Sequence, residues 1–212
     1  MGLFDRKKNT FDSVAPLYTV GNSKTLLVIG LGNPGEEYTG NRHNLGFMVL
    51  DKYQASHDFS GWVAKKNLGC ELATGQVGST RVLLAKPTTF MNNSGESAQK
   101  LQKFYRVYSP ETVVVHDELD IDFGTIRTRV GGGSAGHNGI KSLTETLGED
   151  YGRIRVGIGP KTHAKMDSAD FVLQDFTAEQ QELLPKLINE ACSLLDEATT
   201  GILPEHTVTI ES

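Results

Sequence analysis

Lys24–Phe47 reads KTLLVIGLGNPGEEYTGNRHNLGF, and the order of its parts decides the fold: an apolar run, a glycine turn, then a polar loop carrying one histidine. Thr25–Ile29 is rich in branched residues and closed by Gly30, the signature of a central strand of an α/β sheet. Gly30, Gly32 and Gly35 stand at the G-x-G-x-x-G spacing of a dinucleotide-binding loop. That reading requires a helix to open on the loop, so that its N-terminus receives a pyrophosphate. Here Pro34, Gly40 and the polar run Glu36–Asn41 delay helical periodicity until Asn44, and neither Asp51 nor Asp58, the acids at a suitable distance, ends a convincing second strand. A dinucleotide site is therefore set aside. Asn33, Tyr38, Arg42, His43 and Asn44 remain as the residues with chemistry to explain.

Downstream, Asn44–Ser56 places Leu45, Met48, Val49, Leu50 and Tyr53 at helical spacing. His43 then sits at a helix N-terminus, which opposes an imidazolium and favours a neutral base. Leu68–Val77 and Thr80–Ala85 read as strands joined at Gly78-Ser79, a hairpin that makes the sheet mixed. KPTTFMNN (Lys86–Asn93) leads into a helix over Ser94–Val107. Phe90 and Met91 fit a core plug as well as a site wall, while each asparagine offers a donor and an acceptor suited to an amide backbone.

Thr112–Val115 is a second continuous apolar strand and runs into His116, Asp117, Glu118 and Asp120. The cluster resembles a metal-ligand set, but strand alternation sends Asp117 to the face opposite His116 and Glu118. No second ligand cluster accompanies it in the sequence, so neither a metal nor another cofactor is expected. Open α/β sheets hold ligands at the carboxyl ends of their strands, where Asp117 can reach the histidine beyond the first strand.

Phe123–Val130 reads as a strand and Asn138–Leu147 as a helix, and between them Gly132-Gly133-Ser134-Ala135-Gly136 matches the G-x-S-x-G nucleophile elbow. A serine hydrolase would need a later acid and base; Asp150, Asp167, His163 and His206 are available, none in a recognisable setting. Arg153–Gly159 reads as a strand and Pro160–Asp170 as a polar loop. Thr177–Thr200 is an amphipathic helix opened by a T-x-x-Q capping box and bent or interrupted near Pro185.

With 212 residues, the simplest organisation is an extension over residues 1–23, mobile or loosely docked, and one domain over 24–212. Its expected architecture is a three-layer α/β/α domain, with a twisted, mixed, mostly parallel sheet flanked by helices. The two cysteines, Cys70 and Cys192, lack metal-ligand spacing, and no apolar run approaches a membrane span, so a reduced cytoplasmic protein is expected. The net charge of −5 weighs against nucleic acid, but Phe123–Met166 holds seven Lys/Arg against three acids, a local basic surface that fits an RNA released quickly.

Lys24–Phe47 together with PTTFMNNSG (Pro87–Gly95), HDELD (His116–Asp120) and GHNG (Gly136–Gly139) resembles the bacterial peptidyl-tRNA hydrolase family, motif by motif and in order, from Thr25 to Ala198. The resemblance implies hydrolysis of the ester between a peptide, or an N-blocked amino acid, and the 3′ ribose of tRNA, recycling tRNA from prematurely released peptidyl-tRNA. It implies His43 as the base that activates water, Asp117 as its support, and Asn33 as the residue that separates blocked from unblocked esters. It also puts Tyr38, Phe90, Asn92 and Asn138 against the tRNA-bearing substrate, with Met91 in the wall. The family usually carries histidine and glycine where Ser134 and Ala135 stand, so no serine nucleophile is implied.

Arg127, Arg129, Lys141, Arg153, Arg155, Lys161 and Lys165 are candidates to meet the acceptor stem by shape and phosphates, with Arg129 and Lys141 foremost. A monomer with peptidyl-tRNA as its partner is expected. The competing reading is a noncatalytic RNA-binding protein on the same scaffold.

Overall fold

The computed structural model describes residues 24–159, 167–201, 203 and 205–210. The N-terminal extension and Lys161, His163 and Lys165 lie outside them. In chain order the elements are β1 (Thr25–Gly30), α1 (Leu45–Ser56), β2 (Val63–Lys65), β3 (Cys70–Val77), β4 (Thr80–Pro87), α2 (Ser94–Tyr105), β5 (Thr112–Asp122), β6 (Thr125–Val130), α3 (Asn138–Leu147), β7 (Gly152–Gly159), α4 (Ser168–Val172), α5 (Ala178–Thr199) and β8 (His206–Thr209).

The strands form one sheet in the order β2-β3-β4-β1-β5-β7-β6-β8. The central strands β4, β1, β5 and β7 run parallel, and antiparallel pairings add β3 and β2 on one side and β6 and β8 on the other. Six strands therefore point one way and only β3 and β6 the other. Parallel strands covered on both faces need apolar residues at successive positions, which is why Leu26–Ile29 and Val113–Val115 carry no alternation.

Those residues supply two cores. Leu26, Val28, Val82, Val113 and Val115 face α1 and α5, whereas Leu27, Ile29, Leu83 and Val114 face α2 and α3. Each such side chain removed from water contributes roughly 1.5–3 kcal/mol. The result is the expected three-layer α/β/α domain.

The connections fix where a site can form. The chain leaves β1 toward α1 on one face and leaves β4 toward α2 on the other, so a crevice opens between two adjacent carboxyl ends. β5 continues past that edge: Gly30 at the end of β1 pairs with Val115, while Asp117 and Glu118 pair onward with Val156 and Gly157 of β7. Asp117 thus rises beside a vacant sheet position. Gly46 brings the first turn of α1 onto that position, because a Cβ there would strike the Leu31 backbone and the Val115 carbonyl.

Several expectations change. β5 runs to Asp122 rather than stopping at Val115, because its far half still has β7 to pair with. Pro185 does not interrupt α5, which is continuous over Ala178–Thr199 and capped as expected by Thr177 and Gln180. The stretch read as polar loop up to Asp170 contains the start of α4, capped by the Asp167 side chain. The short edge strands β2 and β8 are additions that no sequence pattern announces. No helix begins at the glycine turn: 3-10 turns at Glu36–Tyr38 and Arg42–Asn44 precede α1, consistent with setting the dinucleotide reading aside.

Candidate active site

Asn33 at the tip of the loop after β1 is held from both ends. Its backbone N–H donates to Asn44 Oδ1 at 2.8 Å, and Asn44 Nδ2 donates to the Asn33 carbonyl at 2.9 Å. Its own Oδ1 accepts the Met91 N–H at 2.9 Å. A backbone amide can only donate, so this bond fixes the amide's orientation. Nδ2 is left as a donor with no partner among the described residues.

His43 lies on the 3-10 turn that Arg42 pins in place. The buried Arg42 guanidinium donates to the Gln174 carbonyl at 3.1 Å and to Gln180 Oε1 at 3.0 Å, and lies 4.5 Å over the Phe171 ring. Held so, the His43 ring places Nδ1 at 3.0 and 3.1 Å from the two carboxylate oxygens of Asp117. Nε2, which bonds no described residue, is left to the cleft.

A second imidazole reaches the same carboxylate. His137 Nε2 lies 2.9 Å from Asp117 Oδ1, while its Nδ1 accepts from the amides of Gly139 and Ile140 as the N-cap of α3. Those two donors leave Nδ1 unprotonated, so Nε2 carries the proton and gives it to Asp117. Asp117 therefore takes N–H bonds from both rings, which sets the His43 proton on Nδ1 and leaves Nε2 with a lone pair. A third ring, the fully buried His116, lies edge-on to His137 at 4.9 Å.

The electrostatics follow. Burial alone would raise the Asp117 pKa, but the charges and hydrogen bonds of His43 and His137 outweigh it and hold the carboxyl far below the carboxylate range. Burial alone would lower the His43 pKa, yet the Asp117 charge and hydrogen bond carry it above 6.5. The lowering expected from a helix N-terminus is not what results: with Asp117 in contact the shift runs upward. Burial keeps His116 well below 6.5 and neutral.

His43, Asp117 and His137 offer ligand atoms within 4.8 Å of one another, the one group of metal-compatible side chains among the described residues. Two ring N–H groups donating at 2.9–3.1 Å account for the trio, and the remaining His137 nitrogen is committed to α3. Protons already do what a metal would do there.

Asn33, His43, Phe90, Met91, Asn92 and Asn138 line one cleft of ≈ 460 Å³, closed on the far side by Ala169, Val172 and Leu173 around α4. Met91 is buried in the wall, while Phe90 is 57% exposed at the rim rather than plugging the core. Tyr38 does not line this cleft: it is half-buried on the neighbouring 3-10 turn.

Neither Arg129 nor Lys141 lines the cleft. Arg129 donates to the Gly133 carbonyl at 3.0 Å, shared with the buried Arg153 at 2.8 Å, so both arginines hold the glycine-rich loop. Lys141 is exposed on α3. Cross-strand pairing puts Arg127 opposite Arg155 and Arg129 opposite Arg153, so all four lie on one face of the sheet. Ser134 uses its carbonyl to accept the His137 N–H, and no described histidine bonds its hydroxyl.

His137 and the Asn33–Asn44 clamp were not singled out from the sequence. The usable signal for His137 was its place directly before the α3 pattern, at an N-cap position.

Comparison with known proteins identifies the family. The sequence profile of the family described as peptidyl-tRNA hydrolase matches residues 27–210. A peptidyl-tRNA hydrolase of Mycobacterium sp. (strain KMS) is 46% identical over 170 residues, covering 80% of this chain and 88% of that protein. One of Roseobacter denitrificans (strain ATCC 33942 / OCh 114) is 44% identical over 162 residues, covering 76% and 68%. A solved peptidyl-tRNA hydrolase in complex with N-propanol superposes with a TM-score of 0.80 at 32% identity, covering 86% of this chain and 92% of that one. The peptidyl-tRNA hydrolase of Acinetobacter baumannii gives 0.76 at 30% identity, covering 86% and 96%. By sequence and by fold, the chain belongs to the peptidyl-tRNA hydrolase family.

Proposed function

We propose that this hydrolase cleaves the ester between a peptidyl or N-blocked aminoacyl group and the 3′ ribose of tRNA, with a water activated by His43. The observation that carries the proposal is the His43 ring, bonded through Nδ1 to Asp117 and presenting a bare Nε2 to a cleft with three asparagines. Nε2 removes a proton from water as the oxygen adds to the ester carbonyl. The imidazolium returns that proton to the departing 3′ oxygen, giving tRNA ending in a hydroxyl and a carboxylic acid, which ionises by losing water's other proton to solvent. Asp117 stabilises the imidazolium, as the carboxylate does in hydrolytic triads. Asn92 and Asn138 supply donors for the carbonyl oxygens, and Phe90 offers a ring at the mouth for the terminal nucleotide.

Asn33 separates substrates. With Oδ1 occupied by Met91, it presents only a donor, which suits the carbonyl preceding the ester-linked residue and opposes the ammonium of an unblocked aminoacyl ester. Arg127, Arg129 and Lys141 provide positive potential for the RNA body, Arg129 while also bracing the loop; Arg155 is paired with Glu118 at 3.2 Å and the buried Arg153 serves the loop. Tyr38 contributes from the adjoining turn. No described helix is long and apolar enough to cross a membrane.

The test is release of free tRNA from N-acetyl-aminoacyl-tRNA beside the same tRNA carrying an unblocked amino acid. Rapid release from the blocked ester with sparing of the free one is expected. Tight binding of both without release would contradict the proposal and favour an RNA-binding protein.

A further inference from the structure

A second hollow continues from the catalytic cleft on the other side of Asn33, which lines both. Phe47 and Met48 give it an apolar floor, and Glu36, Asp51 and Glu71 stand around it with a single cation, Lys86. Lys86 is almost fully buried over the Trp62 ring at 4.2 Å, and its ammonium bonds Asp51 at 2.8 Å and Glu71 at 3.3 Å. One ammonium thus offsets one of three carboxylates, leaving the hollow with two negative charges in excess. The buried Asn33, whose Nδ2 has no partner among the described residues, lines the wall between the two.

Resting on the ester hydrolysis proposed above, we infer that this hollow is a subsite for the side chain of the residue preceding the ester-linked one, and that it favours lysine or arginine. With that residue's carbonyl on Asn33 Nδ2, its side chain leaves the backbone one residue beyond His43, where the hollow begins. An extended peptide advances roughly 3.3–3.6 Å per residue, so the next side chain falls past Asn33. A lysine or arginine stem then lies on Phe47 and Met48 while its charged end meets Glu36 and Asp51, whose carboxylates are exposed or half-exposed. A glutamate in the same place meets the excess negative charge. Lys86 cannot serve it, because its ammonium is already shared between two carboxylates.

The experiment compares kcat/KM for N-acetyl-Lys-Gly-tRNA and N-acetyl-Glu-Gly-tRNA made on one tRNA, with N-acetyl-Gly-tRNA as reference. The lysine ester should be favoured by about two- to fivefold, the size of a half-exposed ion pair. The ratio should fall as ionic strength rises, and it should move toward one in Glu36→Gln and further in Glu36→Gln with Asp51→Asn. Glu36 is exposed on its turn, so the single variant keeps the test valid if the double variant folds poorly. Equal rates in the wild-type protein, or a ratio unmoved in Glu36→Gln, would overturn the subsite while leaving ester hydrolysis standing. No release from the reference ester would overturn ester hydrolysis and the subsite together.

Discussion

Asp117→Asn acts on two separable properties of the site. His43 Nδ1 and His137 Nε2 share Asp117 Oδ1 at 3.0 and 2.9 Å, and Nδ1 also lies 3.1 Å from Oδ2. α3 fixes the His137 proton on Nε2, so Oδ1 stays the acceptor and the NH₂ of asparagine replaces Oδ2, a donor set against the His43 N–H. The ring relieves that clash by accepting at Nδ1, which moves the His43 proton onto the nitrogen that has to be bare. The charge is also lost. Opposite charges about 4 Å apart at an effective dielectric of about 20 attract by about 4 kcal/mol, which corresponds to roughly 10³ in rate. Tautomer reversal in a hydrolytic triad costs about 10⁴, so a fall of roughly 10³–10⁴ is expected.

The assay is single-turnover tRNA release across pH. Wild-type activity requires neutral His43, so it is lost as pH falls through a value above 6.5. Without the Asp117 charge only burial remains to shift His43, and burial lowers its pKa, so the ascending limb of the residual activity should move to lower pH. A variant within tenfold of wild type, with its limb unmoved, would refute the reasoning.

Three further outcomes follow from the geometry. Asn33→Asp keeps an acceptor for the Met91 amide and turns the cleft-facing donor into an acceptor. The preference for N-blocked over free aminoacyl-tRNA should therefore narrow by about five- to 150-fold, the range set by an unpaired buried polar group; an unchanged kcat/KM ratio would confine Asn33 to the turn. Ser134→Ala should leave hydrolysis within about twofold, a threshold far below the 10²–10⁴ of a lost catalytic group; abolition would restore the nucleophile elbow. Charge reversal of the exposed Arg127 and Lys141 should weaken tRNA binding and flatten its salt dependence while sparing a minimal ester without the tRNA body. Arg129 is a poorer choice for that test, because reversing it also releases the Gly133 carbonyl.

The fold was legible wherever one local pattern decided it. The unbroken apolar runs of β1 and β5 announced strands covered on both faces, and T-x-x-Q placed the start of α5. The short strands β2 and β8 were not legible, because three or four mostly exposed residues acquire strand geometry from a neighbour rather than from their own pattern. At the site, the motifs implied His43, Asp117, Asn33, Asn92 and Asn138, and the crevice brings them together. His137 escaped because its role depends on meeting Asp117 across 20 positions of chain while capping α3. The contact between Asp117 and His43 was legible from the motifs, but not the sign of the shift on His43, which depends on a 3.0 Å contact that no spacing in the sequence gives.

The most direct measurement of the central claim is the single-turnover rate of tRNA release from N-acetyl-aminoacyl-tRNA by His43→Ala, with tRNA affinity determined on the same preparation. If His43 is the base, hydrolysis falls by at least 10²–10⁴ while affinity stays within about twofold, since the phosphate contacts that dominate affinity lie elsewhere. Release near the wild-type rate by that variant would contradict the account.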